Sequence, residues 1–525
     1  MVEPAAVESV RRRYLATIGT QFIQLAAGIA TAGVVPRALG PANFGNFNYL
    51  MITAATIRGF LEPSAQQAFF TFSSQERRSG GLTRLYALVL FVQVLISFGF
   101  IGVVAVMGKL DWLWSGQVLN QIFLVTVLEW MIFITASLRQ LGDSKGLTVH
   151  AQVFTLVTSM INVVGLLGLS AFGLLNLYSY IAINMFSASL IAVLLIRWLV
   201  VNNSELTWAG SLGVRAREYI RRWWRFAAPL ILLEYYTPLI AYVSAYLLQR
   251  WYGSVEQGYF ALALKWSAFI LVFTSSALSI FWREIANAMA NDERERAART
   301  YLKFTHLLFF LALALCSWLS FGSRFLVHIL VGDEYSLAVP VLAIMAFYPL
   351  QQTYGQINTA ALKGSEKTKT IRNLGILVSI PDLILSYFLL ASPHAPVPGL
   401  GLGAIGVALR MVVFGLLFVQ VYEWMSHRTF GLSYLSTLTQ KLAVAAVILF
   451  CGYLAMSLLG TLLEGQGVPI LAVFGITSLI FFAMVGTCGL FWPSLLGISR
   501  AELADNLKKG RVFVSNLIQR GMHEK

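Results

Sequence analysis

Long apolar segments follow one another along this chain, from Tyr14 to Pro493. Most are roughly 20 residues or longer, the length that an α-helix needs to cross a hydrocarbon layer about 30 Å thick. They lack the alternation of apolar and polar residues that barrel strands show. Because only helices and closed barrels satisfy their backbone polar groups in lipid, we predict an all-α polytopic membrane protein.

The segments predict fourteen transmembrane helices, numbered here as spans 1 to 14. They cover residues 14–36, 47–72, 84–107, 118–138, 149–170, 175–197, 226–250, 258–282, 304–330, 337–362, 371–391, 400–424, 439–462 and 468–491. The first is too long for a cleavable signal peptide, and a second span follows it directly. The loops between spans are short, so no soluble domain is expected.

Basic residues are distributed unequally between the two sets of loops. If the N-terminus is cytoplasmic, 31 of the 38 Lys and Arg residues fall in cytoplasmic segments, four fall outside and three lie within spans. This asymmetry follows the positive-inside rule and predicts an inner-membrane protein with both termini in the cytoplasm. Basic loops against an anionic leaflet account for the net charge of +14, so no nucleic-acid partner is predicted.

Composition and motifs offer little support for an enzyme. The charged fraction is 12%, about half that of soluble domains. Cys316, Cys451 and Cys488 lie far apart in apolar segments, and the six histidines lack zinc-ligand spacing. The stretch 401–406 matches a dinucleotide-binding pattern but opens a membrane span rather than following a strand. We predict no catalytic residue, no metal and no cofactor.

An internal repeat is visible at an offset of 213 residues. The turn 37–47 and the turn 250–260 share Arg, Gly, Gly and Phe at equivalent positions, and each joins the first two helices of a six-span block. Six is even, so the blocks have the same orientation, as in transporters that alternate access around a central site. The predicted organisation is a six-helix lobe over 1–200, a basic cytoplasmic linker over 201–225, a second pseudo-symmetric lobe over 226–430, two extra helices over 431–493 and a cytoplasmic tail over 494–525.

These turns also carry a family resemblance. The segment 37–47, together with 252–263, 331–338, 362–369 and 399–406, resembles the bacterial polysaccharide exporters, which are O-antigen-flippase-like members of the multidrug/oligosaccharidyl-lipid/polysaccharide exporter superfamily. Arg58 and Glu62-Pro63 in span 2 depart from that pattern. The resemblance implies a flippase for undecaprenyl-diphosphate-linked oligosaccharide in O-antigen, capsule or exopolysaccharide biosynthesis. Implied partners are the lipid-linked oligosaccharide, membrane lipids, and a polysaccharide polymerase with its chain-length machinery.

Ionisable residues inside spans are the candidate site residues, because each is costly in the membrane and should face protein or water. The cations predicted to bind substrate are Arg58, Lys265 and Arg410, the acids that could couple an ion are Glu62, Glu129, Glu234 and Asp382, and Arg37 and Arg250 form a symmetric outer pair.

Each candidate also has a structural interpretation. Arg58 could pair with Glu62 one turn away, and Arg410 could pair with Asp382. Glu129 and Glu234 could simply bond to neighbouring residues, and Arg37 and Arg250 could hold the last carbonyls of spans 1 and 7. Two functional alternatives also stay open: an ion-coupled small-molecule exporter of the same superfamily, and a membrane-embedded polysaccharide polymerase or glycosyltransferase.

Overall fold

The computed structural model describes residues 10–75, 80–145, 148–202, 213–228, 231–275, 278–493, 497 and 502. These residues are mostly helical and contain no β-strand, which confirms the all-α prediction. The predicted cytoplasmic tail over 494–525 lies outside the described residues, apart from Gly497 and Glu502.

Twenty α-helices are present in the described part of the chain. They are Val10–Leu61, Ala65–Gln75, Gly80–Val106, Leu110–Leu113, Leu119–Ser144, Thr148–Ala171, Leu177–Asn202, Gly213–Ala227, Ile231–Ser275, Leu278–Ala290, Arg294–Phe321, Ser323–Leu330, Ala338–Met345, Tyr348–Gly364, Thr368–Leu390, Gly403–Leu409, Gly415–Phe430, Tyr434–Gly452, Leu459–Gly465 and Ile470–Phe491. A 3₁₀ turn at Asp333–Tyr335 and π-helical turns at Arg410–Phe414 and Tyr453–Leu458 complete the regular structure.

Eleven helical stretches among the described residues are long and apolar enough to cross a membrane. Two of them, Gly19–Leu61 and Glu234–Thr274, are 43 and 41 residues long, and each covers the larger part of two predicted spans. Span 10 is divided between Ala338–Met345 and Tyr348–Gly364, which are too short to be counted separately. These three differences reconcile the eleven stretches with the fourteen predicted spans.

The two long helices bend at equivalent glycines. Gly40 has φ 71° and ψ 165°, and Gly253 has φ 76° and ψ −171°. This backbone region is almost restricted to glycine, because any Cβ would clash there. The two residues are 213 positions apart, so the predicted repeat joins spans 1 and 2 in the same way as it joins spans 7 and 8.

Span 2 is discontinuous, contrary to the unbroken helix predicted over 47–72. The first helix ends at Leu61 and the next begins at Ala65, with Ser64 at φ 54° between them. Pro63 explains the break, since a proline has no N–H and disfavours helical geometry in the residue before it. Gln93 Nε2 donates to the Leu61 carbonyl at 2.7 Å, which satisfies one backbone group freed by the break.

The chain divides into two compact units, each with its own apolar core. The first comprises Met1–Leu262, Leu330–Tyr335 and Ser379–Val407, and the second the remainder. Buried clusters in the first unit include those around Trp114 and around Phe69. The second unit packs a cluster around Phe281. The lobe boundaries predicted from the sequence stay predictions.

The predicted basic linker over 201–225 contains a helix, which the sequence analysis did not anticipate. Gly213–Ala227 places Tyr219 in the apolar cluster around Phe69, and Trp223 and Phe226 pack against that cluster. Packing of these large apolar side chains stabilises this amphipathic helix more than its intrinsic helix propensity does.

Candidate functional site

The break in span 2 gathers three intramembrane charges. Arg58 lies in the last turn before the break, and its Nε is 2.9 Å from Glu129 Oε1 on the helix Leu119–Ser144. Its Nη1 lies 3.7 Å from Glu62 Oε2, so the predicted proximity of these two residues is confirmed. The guanidinium carbon lies 4.2 Å from the centre of the Phe133 ring. We call Arg58, Glu62 and Glu129 the Arg58 cluster.

The side chains of the Arg58 cluster are largely buried. Both carboxylate side chains are 8% exposed and the arginine side chain is 21% exposed. With all three groups ionised, two carboxylates face one guanidinium and the cluster carries one net negative charge. A charged group buried in this way is tolerated only when it is paired and hydrogen-bonded, so each member depends on the others.

Glu62 also forms a hydrogen bond across the break. Its Oε1 accepts the backbone N–H of Gln66, in the first turn of the helix Ala65–Gln75. A carboxylate at this position satisfies a free donor and interacts favourably with the positive end of the helix dipole. Glu62 therefore links Arg58 to the helix that follows the break.

Neutral polar groups hold the two half-helices in place. Trp223 Nε1 donates to the Pro63 carbonyl at 3.4 Å, and Gln66 Nε2 donates to Ser137 Oγ at 3.1 Å. Tyr86 and Ser137 share a hydrogen bond of 3.3 Å. Non-helical backbone at membrane depth is stable only when neighbouring groups satisfy it in this way.

The other predicted acids of the first unit have neutral donors. Gln67 Nε2 lies 3.5 Å from Glu234 Oε1, and the Tyr236 hydroxyl donates to Asp382 Oδ2 at 2.8 Å. Glu62 and Glu129 are thus the two acids that the structure brings to Arg58. Glu234 and Asp382 each accept a hydrogen bond from an uncharged side chain.

Two predicted cations belong to the second unit. Lys265 is half-buried on the segment that follows the Gly253 kink, beside buried Trp266. Arg410 is buried at the start of the π-helical turn Arg410–Phe414. Such turns are frequent at functional sites, because the extra residue redirects a side chain. A pair between Arg410 and Asp382, and a cavity shared by Arg58 and Lys265, stay predictions.

Arg37 and Arg250 are both exposed, and each lies three residues before its kink glycine. Arg250 Nη1 lies 3.2 Å from Asp111 Oδ2, with both side chains more than half exposed. An ion pair this exposed contributes little to stability. The predicted role of the two arginines at the ends of spans 1 and 7 stays a prediction.

A second buried charge pair was missed by the sequence analysis. Lys441 Nζ contacts Glu423 Oε1, and the two residues are 4% and 1% exposed. The ammonium lies 4.3 Å from the centre of the Tyr354 ring. Glu423 lies at the end of the predicted span 12, and Lys441 lies at the start of the predicted span 13. Two opposite charges at the adjoining ends of consecutive spans were the sequence feature that could have identified this pair.

Polar side chains surround this pair. The Tyr301 hydroxyl donates to Asn358 Oδ1 at 2.8 Å, and His427 Nε2 lies 3.0 Å from Thr437 Oγ1. His427 Nδ1 lies 2.9 Å from the carbonyl of Glu423. The network joins the helix Tyr434–Gly452, which lies outside the predicted repeats, to the helix Gly415–Phe430 of the second predicted lobe.

Comparisons with known proteins bear on the fold. No family model matches this chain, and the search of curated protein sequences found no match. Among solved structures, the lipid II flippase MurJ in an inward closed conformation matches with a TM-score of 0.63 at 12% identity, over 92% of this chain and 99% of that one. An inward-facing multidrug resistance MATE family transporter of the MOP superfamily matches with a TM-score of 0.57 at 15% identity, over 78% and 94%.

A third similar structure is a MOP superfamily transporter from Pyrococcus furiosus, with a TM-score of 0.51 at 14% identity over 80% of this chain and 95% of that one. Together these matches show that the chain has the multi-pass helical fold of MOP superfamily transporters. The fold suspected from the turn motifs is therefore confirmed.

Proposed function

We propose that this protein is a transporter that flips an undecaprenyl-diphosphate-linked oligosaccharide across the bacterial inner membrane by alternating access. The observation that carries the proposal is the extent of the fold match. The flippase structure covers 92% of this chain, whereas the multidrug transporter structures cover 78% to 80%. The longer match favours a lipid-linked substrate over a small soluble one.

The chemistry of such a substrate explains why intramembrane cations would be needed. A diphosphate carrying a polar glycan cannot cross hydrocarbon unaided, because burying charge and unpaired polar groups is prohibitive. Lys265 and Arg410 would supply positive potential, and an arginine can bind two phosphate oxygens at once. The isoprenoid tail would stay in the bilayer, and the delivered oligosaccharide would pass to a polysaccharide polymerase with its chain-length machinery.

The Arg58 cluster suggests how substrate binding could be coupled to a proton. Arg58 already has two carboxylate partners, so a diphosphate that binds it would compete with Glu62 and Glu129 for its guanidinium. A displaced carboxylate in a buried setting would take up a proton, because an unpaired buried charge is costly. Arg58 would then exchange a carboxylate for the diphosphate, and the reverse exchange would accompany release.

Reconstituted protein tests this proposal directly. A lipid-linked oligosaccharide with a fluorescent label on its glycan is incorporated into vesicles, and membrane-impermeant dithionite quenches the label in the outer leaflet. Flipping exposes the remaining label to quenching. Lys265→Ala should abolish this step and Lys265→Arg should retain part of it, because the charge is kept while the shape changes.

The matched control is Lys109→Ala, which removes a lysine exposed between spans 3 and 4. We expect it to flip substrate as fast as the unmodified protein. Full flipping by Lys265→Ala at normal abundance would remove Lys265 from the site. An unmodified protein that does not expose the label would count against the proposed substrate itself.

A second candidate function is favoured by one observation. In the first unit, Arg58 is outnumbered by the carboxylates that contact it, and Glu234 and Asp382 add further acids. An excess of acidic side chains suits a small organic cation, as an ion-coupled exporter would require. Accumulation of a fluorescent cation by the same vesicles under a proton gradient, without flipping of the labelled glycan, would favour this function.

A further inference from the structure

The helix Gly213–Ala227 is fixed to the first unit along one face. Tyr219 is buried there, and Trp223 packs beside it. Arg222 lies 4.5 Å from the centre of the Phe72 ring, measured from its guanidinium carbon, and its Nη2 lies 3.4 Å from Gln75 Oε1. The inner face therefore docks this helix on the half-helix that follows the break in span 2.

The opposite face is exposed and is mainly basic, with one acid, Glu218, beside its arginines. Arg217, Arg221 and Arg225 are all exposed and follow one another at four-residue spacing, which aligns them along one side of the helix. Ile220 and Trp224 lie beside this row and are 51% and 64% exposed. The outer face thus joins a row of three arginines to an exposed apolar edge.

We propose that this outer face binds anionic phospholipid headgroups of the bilayer, with Ile220 and Trp224 inserted at the level of the acyl chain boundary. Charge complementarity selects the partner, because guanidinium groups bind lipid phosphates and gain from the negative potential of an anionic leaflet. A large aromatic side chain next to a basic row is the arrangement of helices that lie in the membrane interface. This inference is independent of the transported substrate.

A lipid leaflet also explains why the apolar edge is tolerated. Ile220 and Trp224 would otherwise expose apolar surface to water beside a highly charged row. In an interfacial helix the arginine stems lie along the apolar surface while their charged ends reach the phosphates. The helix would then hold the half-helix after the span 2 break at a fixed depth.

Hydrogen exchange of the full-length protein tests the proposal. The protein is reconstituted in nanodiscs of phosphatidylcholine alone or of phosphatidylcholine with phosphatidylglycerol. Peptides from 213–227 should exchange severalfold more slowly with phosphatidylglycerol. This difference should shrink strongly at about 1 M salt, where the screening length falls to roughly 3 Å. Equal exchange in the two lipid compositions would overturn the proposal.

Variants identify the residues responsible. The triple substitution R217Q/R221Q/R225Q should abolish the phosphatidylglycerol-dependent protection, since each basic residue near an anionic surface contributes severalfold and three together roughly a hundredfold in affinity. The control R283Q/R294Q/R299Q removes three exposed arginines predicted on the same side of the membrane and should keep it. Protection that survives the first triple substitution, or is lost equally in both, would contradict the assignment.

Two further measurements address a triple variant that does not fold and a soluble phosphate ligand. If the triple variant does not fold, R221E alone should weaken the lipid-dependent protection in protein whose 65–75 peptide exchanges normally, and unchanged protection in R221E would refute the proposal. Inorganic pyrophosphate is added to the detergent-solubilised protein to test for a soluble phosphate ligand. Protection of 213–227 by pyrophosphate as strong as that by phosphatidylglycerol would show that the face is not a lipid surface.

Discussion

Gly45 packs against the backbone of Ser254, shortly before Gly258, and Gly258 packs against the backbone of Pro41, shortly before Gly45. A Cβ on Gly45 would lie 1.8 Å from the carbonyl oxygen of Ser254, and a Cβ on Gly258 would lie 2.1 Å from the carbonyl oxygen of Pro41. Pro41 and Ser254 are 213 residues apart, as are the two glycines. The contact is therefore reciprocal, as at a two-fold interface, and the internal repeat meets itself where spans 2 and 8 begin.

Alanine at either glycine should destabilise this contact. We expect Gly45→Ala and Gly258→Ala each to lower stability by about 1–3 kcal/mol, the usual range for overpacking, because the atoms in the way are backbone and cannot rotate aside. Thermal unfolding in detergent measures the effect. Gly102→Ala is the control: nothing lies within 4 Å of its Cβ position, and its stability should be unchanged or slightly higher. A tolerated Gly45→Ala would show that the spans separate easily.

The Arg58 cluster should behave as a unit. Arg58→Gln leaves Glu62 and Glu129 without their arginine, and removal of one partner from a buried ion pair commonly costs about 3–5 kcal/mol. We expect low membrane abundance and a lower melting temperature. The triple substitution R58Q/E62Q/E129Q should recover much of the loss, because no buried charge remains unpaired.

The exposed pair of Arg250 and Asp111 provides the comparison for that experiment. Arg250→Gln should change stability by less than about 1 kcal/mol. If Arg58→Gln is as stable as Arg250→Gln, water or lipid headgroups compensate the carboxylates, and the cluster is open to solvent. A triple variant less stable than Arg58→Gln would mean that the carboxylates bind other groups essential to the fold.

Glu423 and Lys441 give an independent test of a buried pair. Lys441→Met should destabilise the protein by about 3–5 kcal/mol because it leaves an uncompensated carboxylate, whereas E423M/K441M should lie close to the unmodified protein. A double-mutant cycle on melting temperature isolates the coupling. If the double variant is as unstable as Lys441→Met, the network of Tyr301 and His427 around the pair carries the stability instead.

Topology can be tested with reporter fusions. The positive-inside asymmetry predicts cytoplasmic reporters after Lys145, Arg215, Lys369 and the C-terminus. Reporters at Asp111 and His394 should be external. Alkaline phosphatase and green fluorescent protein fusions report the two sides. A cytoplasmic reporter at His394 would refute the fourteen-span arrangement.

The sequence predicted the helical elements well because the membrane imposes them locally. Apolar segments of sufficient length have to be helical in lipid, and the identities between 37–47 and 250–260 correctly located the two turns where Gly40 and Gly253 bend the chain. The break at Pro63 was visible as a proline beside two charges. It was nevertheless included in a continuous span, since hydrophobicity alone does not detect a helix that stops and restarts within the membrane.

The sequence by itself determined that the chain crosses the membrane repeatedly, that it contains a 213-residue repeat and that a few ionisable residues lie inside its spans. Only the tertiary structure decided which of these residues meet. Glu129 reaches Arg58 from 71 positions away, Lys441 reaches Glu423 across a loop, and Gly45 meets Gly258 across the repeat. These encounters depend on how each helix is rotated and which helices are neighbours. In lipid those choices follow from close packing and polar pairing between helices, which hydropathy along the chain does not encode.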